Sequence, residues 1–295
     1  MELRQEADQF LEKGRNLFYG LNPEKALVYY NRAIKLDPKD PQAYDYKSLA
    51  LKVIGKKKEA LGCINQAIRL DPSFSKYYSS KGQILREMGK KEEALDCSDK
   101  IISLNPNSPR AYYWKGNALI EMEKKEEAIV CYDEAIRVDP NFTEVYASKG
   151  VILNELGKIE EALDCFDKVI IIEPERAYLY SNKGYLLKKM GKIDEAVDCC
   201  DKAISLDPNH ALAYFNKGNA LQEMRKYEEA IECYDKSMSL DSDYCDTYYE
   251  KGNALRKMGK AKEALDCYDK ALSMKPNHED ALNMKNEILN EMATQ

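Results

Sequence analysis

The chain has 295 residues and a formal net charge of −6. This acidic balance argues against general nucleic-acid binding, which needs a basic face to neutralise phosphates. Hydrophobic residues make up 44% of the chain, so a buried core is possible, yet the longest aliphatic run, Val169 to Ile172, is far too short to cross a bilayer. The N-terminal residues MELRQEADQF contain no apolar run, so we expect neither a secretory signal nor a membrane segment.

A 34-residue interval organises the chain, and proline marks it most clearly. The prolines on this grid are Pro38, Pro72, Pro106, Pro140, Pro174, Pro208 and Pro276, with Ser242 in the remaining slot. When that slot is numbered position 32, the chain divides without insertions into eight units: 7–40, 41–74, 75–108, 109–142, 143–176, 177–210, 211–244 and 245–278. Residues 279–295 supply a capping helix, whose buried face should carry Leu282 and Leu289. The prediction is a single solenoid over 1–295, in which stacked units bury a continuous core.

Three landmarks recur at fixed positions of the unit. Position 20 is always alanine, position 8 is glycine or serine, and position 4 is aromatic: Phe10, Tyr44, Tyr78, Tyr112, Tyr146, Tyr180, Tyr214 and Tyr248. A helix–turn–helix unit of this length with large, small and aromatic landmarks resembles the tetratricopeptide repeat (TPR), and the resemblance covers residues 7–295. It implies an all-α fold, a right-handed α-solenoid in which the first helix of every unit lines a concave surface.

The landmarks predict specific contacts. Positions 8 and 24 are equidistant from a turn near position 16, so Gly116 should face the large ring of Tyr132. Position 7 is lysine in every unit and in the cap, where the family usually has leucine, and position 25 of the preceding unit is equidistant from the intervening turn. We predict these lysine–carboxylate pairs: Lys115–Asp99, Lys149–Asp133, Lys183–Asp167, Lys217–Asp201, Lys251–Asp235 and Lys285–Asp269. The alternative is that each lysine packs its aliphatic stem against the protein and places its ammonium group in water.

A helical wheel separates two faces of the first helix. Positions 2, 5, 9, 12 and 13, with 6 on the edge, lie opposite the core positions, and the resemblance implies that they form a ligand groove. The residues expected there are Arg15, Tyr19, Tyr113, Trp114, Asn117, Tyr178, Asn182, Tyr185, Lys189, Phe215, Asn216, Asn219, Tyr249, Asn253 and Arg256. Asparagine can donate to and accept from an extended backbone, and aromatic rings supply contact area at low entropic cost. The alternative is that these residues are merely tolerated on a solvated face.

The groove lacks the pattern that holds an acidic chaperone tail, the best-known ligand of such repeats. Asn117, Asn219 and Asn253 occupy position 9, but their partners at position 5 are aromatic where that clamp has lysine. Basic residues nevertheless concentrate in the C-terminal half of the groove, at Lys188, Lys189, Arg256 and Lys257. We therefore expect a ligand segment that carries Asp or Glu.

We expect no metal, no cofactor and no catalysis. Seven cysteines recur at position 23, and equivalent helices lie about 8–10 Å apart, too far for disulfides, so we expect reduced thiols and a cytoplasmic protein. The two histidines, His210 and His278, both fall in loops at position 34, and the vicinal pair Cys199–Cys200 lacks zinc-site spacing. The sequence also contains no phosphate-binding loop and no nucleophile–base arrangement.

The sequence therefore favours a protein–protein interaction scaffold that binds an extended peptide in its groove, with an unidentified protein as partner. The alternative is a structural role, in which the solenoid self-associates through its ends or its convex face and has no dedicated peptide ligand. An RNA-binding helical repeat is disfavoured by the charge, because phosphate contacts need basic residues.

Overall fold

The computed structural model describes residues 2–293, and these form seventeen α-helices and no strand. The helices are α1 (Glu2–Tyr19), α2 (Pro23–Leu36), α3 (Pro41–Val53), α4 (Lys57–Leu70), α5 (Ser75–Glu87), α6 (Lys91–Leu104), α7 (Pro109–Glu121), α8 (Lys125–Val138), α9 (Thr143–Glu155), α10 (Ile159–Ile172), α11 (Ala177–Lys189), α12 (Ile193–Leu206), α13 (Ala211–Glu223), α14 (Tyr227–Leu240), α15 (Cys245–Lys257), α16 (Ala261–Met274) and α17 (Glu279–Ala293). Odd-numbered helices up to α15 are the first helices of the predicted units, and even-numbered helices are the second. The predicted all-α fold is confirmed. The last two residues of the predicted cap, 294–295, lie outside the described residues.

The chain separates into two compact units, Met1–Val145 and Tyr146–Gln295, called here the N-terminal unit and the C-terminal unit. In the N-terminal unit α5 packs on α6 and α6 on α7, and in the C-terminal unit α13 packs on α14 and α14 on α15. Such nearest-neighbour packing is the solenoid arrangement. The single array over 1–295 stays a prediction.

The turn inside each repeat depends on one residue in the left-handed region. At position 15, Gly55 has φ 81°, and the following Lys56 N–H donates to Leu51 O at 2.9 Å, which ends α3. Leu21, Glu123 and Arg225 adopt the same conformation with φ of 59–63°. A side chain in this conformation costs roughly 1–2 kcal/mol, so the turn is retained even where the sequence lacks glycine.

Where position 24 is aromatic, a missing side chain faces a large one across the helix pair, as predicted for Gly116 and Tyr132. A Cβ atom built on Gly116 would lie 2.5 Å from Tyr132 Cε1, and one on Gly218 would lie 2.6 Å from Tyr234 Cε1. The repeat formed by α5 and α6 differs, because position 24 is Ser98, and the nearest atoms to a Cβ on Gly82 would be Cys97 Cβ at 3.4 Å and Ala94 O at 3.9 Å. The glycine is therefore sterically required where an aromatic ring lies opposite it.

The lysine–aspartate ladder is confirmed at five rungs. The Nζ–Oδ1 distances are 2.6 Å for Lys115–Asp99, Lys183–Asp167 and Lys217–Asp201 and 2.5 Å for Lys251–Asp235, and Lys285 also pairs with Asp269. The lysine side chains are 21–30% exposed. Burial alone lowers the pKa of Lys217, but the hydrogen bond and charge of Asp201 outweigh it and raise that pKa. Each rung thus joins the second helix of one repeat to the first helix of the next repeat.

The cysteines at position 23 are packing residues of the second helices. Cys97 and Cys233 lie beside the ladder lysines Lys81 and Lys217. Burial raises the pKa of both thiols to about 11, although the neighbouring ammonium groups oppose this. These two thiols are therefore protonated and weakly nucleophilic at neutral pH.

The predicted buried face of the cap is wrong by one residue. Leu282 and Leu289 are 46% and 44% exposed, whereas Ala281 and Ile288 are 0% and 1% exposed. Leu282 and Leu289 occupy positions 4 and 11, which in inner repeats are covered by the second helix of the same repeat; Leu255, for example, packs within the cluster of α16. Among the described residues no second helix follows α17, so these two leucines face outward.

Candidate functional site

The predicted groove residues differ widely in accessibility. Arg15, Tyr19, Tyr178 and Lys189 are exposed, whereas Tyr113, Trp114, Asn117, Asn182, Tyr185, Asn219, Tyr249, Asn253 and Arg256 are half-buried. Phe215 and Asn216 are only 8% and 5% exposed. The expectation that these two side chains face a ligand is therefore corrected.

Phe215 is buried because position 5 packs inside its own repeat. Its ring lies 6.2 Å from that of Tyr234 and 5.0 Å from that of Tyr244. The position-5 rings of Tyr113 and Tyr249 make the same contacts with positions 24 and 34 of their repeats. The helical wheel did not predict the burial of Phe215 because it considers one helix alone. The sequence does contain a signal for it, since the position-5 rings are accompanied by an aromatic residue or histidine at position 34 of the same repeat.

Asn216 is buried because it links two neighbouring first helices. Its Nδ2 donates to the backbone oxygen and to Oγ of Ser181, at 3.2 and 3.1 Å. The equivalent positions of the N-terminal unit hold Ser80, whose hydroxyl donates to Asp45 Oδ1 at 2.8 Å. Asp45 is 2% exposed, and its burial raises the pKa of the carboxyl group.

Basic residues at positions 12 and 13 are also bonded to the next first helix. The Arg86 guanidinium lies 3.0 Å from the Glu121 carboxylate, and Arg256 lies 2.8 Å from Glu287 and 3.0 Å from Glu291. Arg256 was expected to attract an acidic ligand, but α17 already neutralises its charge. The partners Arg86–Glu121 and Arg256–Glu291 are both separated by one repeat plus one residue, a spacing that the sequence contains and that could have identified them.

The asparagines at position 9 are held by buried tyrosines. The hydroxyl groups of Tyr234 and Tyr268 donate to Oδ1 of Asn219 and Asn253, both at 2.8 Å. Burial raises the pKa of both phenols, so each hydroxyl remains a donor. This bond fixes the amide with Oδ1 turned inward and Nδ2 turned away from the ring. Tyr132 and Asn117 form the same pair at 2.7 Å in the N-terminal unit.

The other predicted groove residues of the C-terminal unit lie on α11. The Lys189 amine donates to Asn154 Oδ1 at 3.2 Å and lies 5.3 Å from the centre of the Tyr185 ring. We define the C-terminal surface as the accessible residues of α11, α13 and α15: Tyr178, Asn182, Tyr185, Lys188, Lys189, Asn219 and Asn253. It combines carboxamides, phenol rings and two lysines, which can bind a peptide backbone but which include no nucleophile–base pair.

The N-terminal unit has a different first-helix surface. Tyr46 stacks on Tyr30 with 5.9 Å between ring centres, and the cationic groups of Arg15 and Lys76 lie 5.4 and 5.8 Å from the Tyr46 ring. Trp114 lines a cavity of ≈ 20 Å³ beside Gly82 and Ser98, where position 24 lacks a ring. Its indole is therefore a probe of this unit alone.

None of the helices described within residues 2–293 has the length and apolar character needed to cross a membrane.

Family models of the tetratricopeptide repeat match residues 109–142, 177–210, 211–244 and 245–278, with related models of the same repeat matching 75–108 and 131–164. All but the last of these ranges coincide with units predicted from the proline grid. Together the models cover more than half of the chain.

Similar proteins agree with the repeat assignment. A stretch of 57 residues, 19% of this chain, is 39% identical to "Uncharacterized protein MJ0572" of Methanocaldococcus jannaschii and spans 66% of it, just under two thirds. A tetratricopeptide repeat protein from Parabacteroides merdae matches with a TM-score of 0.66 and 20% identity, over 85% of this chain and 99% of that one. YrrB, a TPR protein with an unusual peptide-binding site, matches with a TM-score of 0.51 and 25% identity, over 64% of this chain and 97% of YrrB.

Proposed function

The chain belongs to the tetratricopeptide repeat family, and from this premise we propose that its C-terminal surface binds an extended segment of another polypeptide. Arrays of this family are typically interaction scaffolds rather than enzymes, and nothing on this surface has the geometry of a catalytic pair. The likeness to YrrB, a protein with a peptide-binding site, supports the same class of ligand.

The observation that carries the proposal is the shared orientation of Asn219 and Asn253. Each carboxamide is fixed through Oδ1 by a buried phenol, so its Nδ2 is turned away from the ring and is ordered before a ligand binds. One Nδ2 proton of Asn253 donates to Glu250, which leaves its second proton for a ligand. Equivalent neighbouring helices lie about 8–10 Å apart, and an extended chain advances about 3.3 Å per residue. Two such donors therefore match backbone carbonyls three residues apart.

The charges on the surface restrict the ligand. Lys188 and Lys189 favour an acidic residue near α11, whereas Arg256 is paired with α17 and contributes little. Glu250 accepts hydrogen bonds from Gln222 and from Asn253 Nδ2, both at 3.1 Å. A segment that carries a carboxylate at the end near Lys188 and Lys189, and none at the end near Glu250, therefore fits this surface better than a uniformly acidic tail.

Selection from a library of random linear peptides, followed by affinity measurement with the selected peptides, tests the proposal. Alanine variants are unsuitable because they would remove the acceptor of the Tyr268 hydroxyl and leave that of Tyr234 only the longer bond to Gln222 Oε1, at 3.4 Å. Asn219→Asp with Asn253→Asp keeps the acceptor oxygen and replaces the Nδ2 donor. We expect a loss of affinity of about 5- to 150-fold, since two hydrogen bonds of about 0.5–1.5 kcal/mol each are removed.

Asn283→Asp, which adds a negative charge on the exposed face of α17, is the matched control and should leave the affinity unchanged. Unaltered binding by the double aspartate variant, or failure of the library to yield any peptide that binds this unit, would show that the C-terminal surface is not the site.

A second candidate function is self-association through α17. Leu282, Leu289 and Met292 are 44–46% exposed on this helix, and exposed apolar side chains of this size can mark an interface. Sedimentation over a concentration series, with Leu282→Glu as the comparison, distinguishes the two candidates. A concentration-dependent mass that the glutamate variant abolishes favours self-association; a constant mass excludes it over the range measured.

A further inference from the structure

Three side chains of different chemistry converge where α15 and α17 begin. Cys245 Sγ lies 3.4 Å from Asp246 Oδ1, and His278 Nε2 lies 3.6 Å from the same oxygen. One ligand-type atom from each residue lies within 4.8 Å of the others. Cys245 and Asp246 are neighbours in the sequence, but 32 residues separate Asp246 from His278. The helix–turn–helix fold of the single unit 245–278 brings them together.

Two of these separations fit the edges of a tetrahedral zinc site, and the third, between the ligand atoms of Cys245 and His278, is within 4.8 Å. Zinc bonds of about 2.0 Å to nitrogen and oxygen and about 2.3 Å to sulfur place neighbouring ligand atoms about 3.3–3.5 Å apart. The observed 3.4 and 3.6 Å need only small adjustment. Thiolate, imidazole and carboxylate are all ligands that Zn²⁺ accepts, and three protein ligands leave its fourth position open.

The surroundings orient the ligands and leave a path from solvent. His278 is only 8% exposed, and its ring lies 4.9 Å from that of Tyr249, which fixes the imidazole plane. The Asp246 side chain is 45% exposed, so an ion can enter from that side. The ring of Tyr249, which the sequence suggested as a ligand contact, thus supports His278.

Two features oppose a cation here. Cys245 is the first residue of α15, where the helix dipole disfavours positive charge, and burial and the Asp246 carboxylate raise the pKa of the Cys245 thiol. The same dipole, however, favours the anionic thiolate and carboxylate that bind metal. The two anionic ligands offset the charge of the divalent ion.

We propose that Cys245 Sγ, an Asp246 carboxylate oxygen and His278 Nε2 bind one Zn²⁺ ion, with water at the fourth position. Binding releases the thiol proton of Cys245 to solvent. The imidazole then carries its proton on Nδ1, so the 3.4 Å hydrogen bond from the Ala281 N–H to Nδ1 is lost. The ion joins the start of α15 to the residue before α17, independently of any peptide on the C-terminal surface.

The chain contains an internal control for this site. His210 occupies the same position of its repeat as His278, but the residues that correspond to Cys245 and Asp246 there are Ala177 and Tyr178. His210 Nε2 is buried without a hydrogen-bond partner. If histidine at this position bound zinc adventitiously, His210 would do so as well.

Cobalt(II) titration of the reduced, chelator-treated full chain tests the proposal. We expect one equivalent of Co²⁺ to produce tetrahedral visible bands and a near-ultraviolet thiolate-to-cobalt band, and Zn²⁺ to displace it. Cys245→Ser should abolish the thiolate band. His278→Ala should weaken affinity by more than the roughly 10–100-fold cost of losing an outer-shell partner. His210→Ala and Cys267→Ser should leave both readouts unchanged.

Cys245→Ser keeps the size of a half-buried side chain at a helix start, so it tests the site without relying on a variant that disturbs α17. A thiolate band that persists in Cys245→Ser, or that disappears only when Cys199 and Cys200 are replaced, overturns the proposal. So does binding that requires millimolar metal in the wild-type chain.

Discussion

The first helices of the N-terminal and C-terminal units are joined at the same positions by different chemistry. In the N-terminal unit, position 5 is Asp45, a buried carboxylate that accepts from Ser80. In the C-terminal unit, position 5 is Ser181, which accepts from the Asn216 carboxamide. The second link satisfies its polar groups without burying a charge, whereas the first retains one at a cost in free energy.

Position 24 differs between individual repeats rather than between the units. Tyr234 and Tyr268 in the C-terminal unit fill the space beside a glycine and bond to an asparagine, but the repeat of α5 and α6 has Ser98 and a small cavity. The same helix–turn–helix backbone therefore forms whether position 24 carries an aromatic ring or a small side chain. The orientation of the position-9 amide, on which the proposed function depends, requires the ring.

The largest effect that separates the units is expected from adding one methyl group. Gly218→Ala would place Cβ 2.6 Å from Tyr234 Cε1, and the ring cannot move without breaking its bond to Asn219. We expect a loss of about 2–3 kcal/mol in unfolding free energy. Gly82→Ala, with Cys97 Cβ nearest at 3.4 Å, should be neutral or stabilise by up to about 1 kcal/mol, the gain in helix propensity.

Urea unfolding followed by circular dichroism measures both glycine variants. Equal losses in the two would mean that the space beside Gly82 is not different from that beside Gly218. The comparison between a filled and an unfilled position 24 would then be withdrawn.

Much of the fold was predictable because the repeat supplies the same information many times. The proline grid predicted the boundaries of the units, five of which family models match, and equal distances from a turn predicted the contact of Gly116 with Tyr132 and the pairing of Lys217 with Asp201. The wheel failed for Phe215 and Asn216 because their surroundings come from other helices. The prediction for Leu282 failed because, among the described residues, no second helix follows α17 to cover position 4 as one does in the repeats before it.

An intermediate effect is expected from Asp45→Asn, which converts the link of the N-terminal unit to the neutral type. Burial raises the pKa of the Asp45 carboxyl in the folded state. A raised folded-state pKa gives stability that is present below the unfolded value of about 3.9 and is lost as pH rises through the folded pKa. The variant keeps an acceptor for Ser80 without the charge, so it should be more stable than wild type at pH 7.

The advantage of Asp45→Asn should shrink as the pH is lowered through the raised pKa of the folded wild-type carboxyl towards the unfolded value of about 3.9. Unfolding free energies at several pH values measure this, with Asp96→Asn on the exposed face of α6 as the control. A variant that is less stable than wild type at neutral pH would show that the buried carboxylate stabilises this unit.

The smallest effect is expected in the ladder, where some lysines face aspartate and Lys81, by the same positional rule, faces Asn65. The Lys217 side chain is 26% exposed and that of Asp201 is 51% exposed, so solvent screens the ion pair. A double-mutant cycle of Lys217→Met with Asp201→Asn should therefore give a coupling free energy of about 0.2–1 kcal/mol. This coupling should fall as salt is added. The residue facing Lys81 in the predicted ladder is Asn65 rather than aspartate, so Lys81→Met with Asn65→Ala should couple more weakly and without salt dependence. Because its bond to Asp201 raises the pKa of Lys217, the coupling should persist up to the unfolded lysine value of about 10.4 and disappear as pH rises through the folded one. Equal, salt-independent couplings in the two cycles would mean that the aspartates contribute no charge interaction, and that the lysine stems alone stabilise the stack.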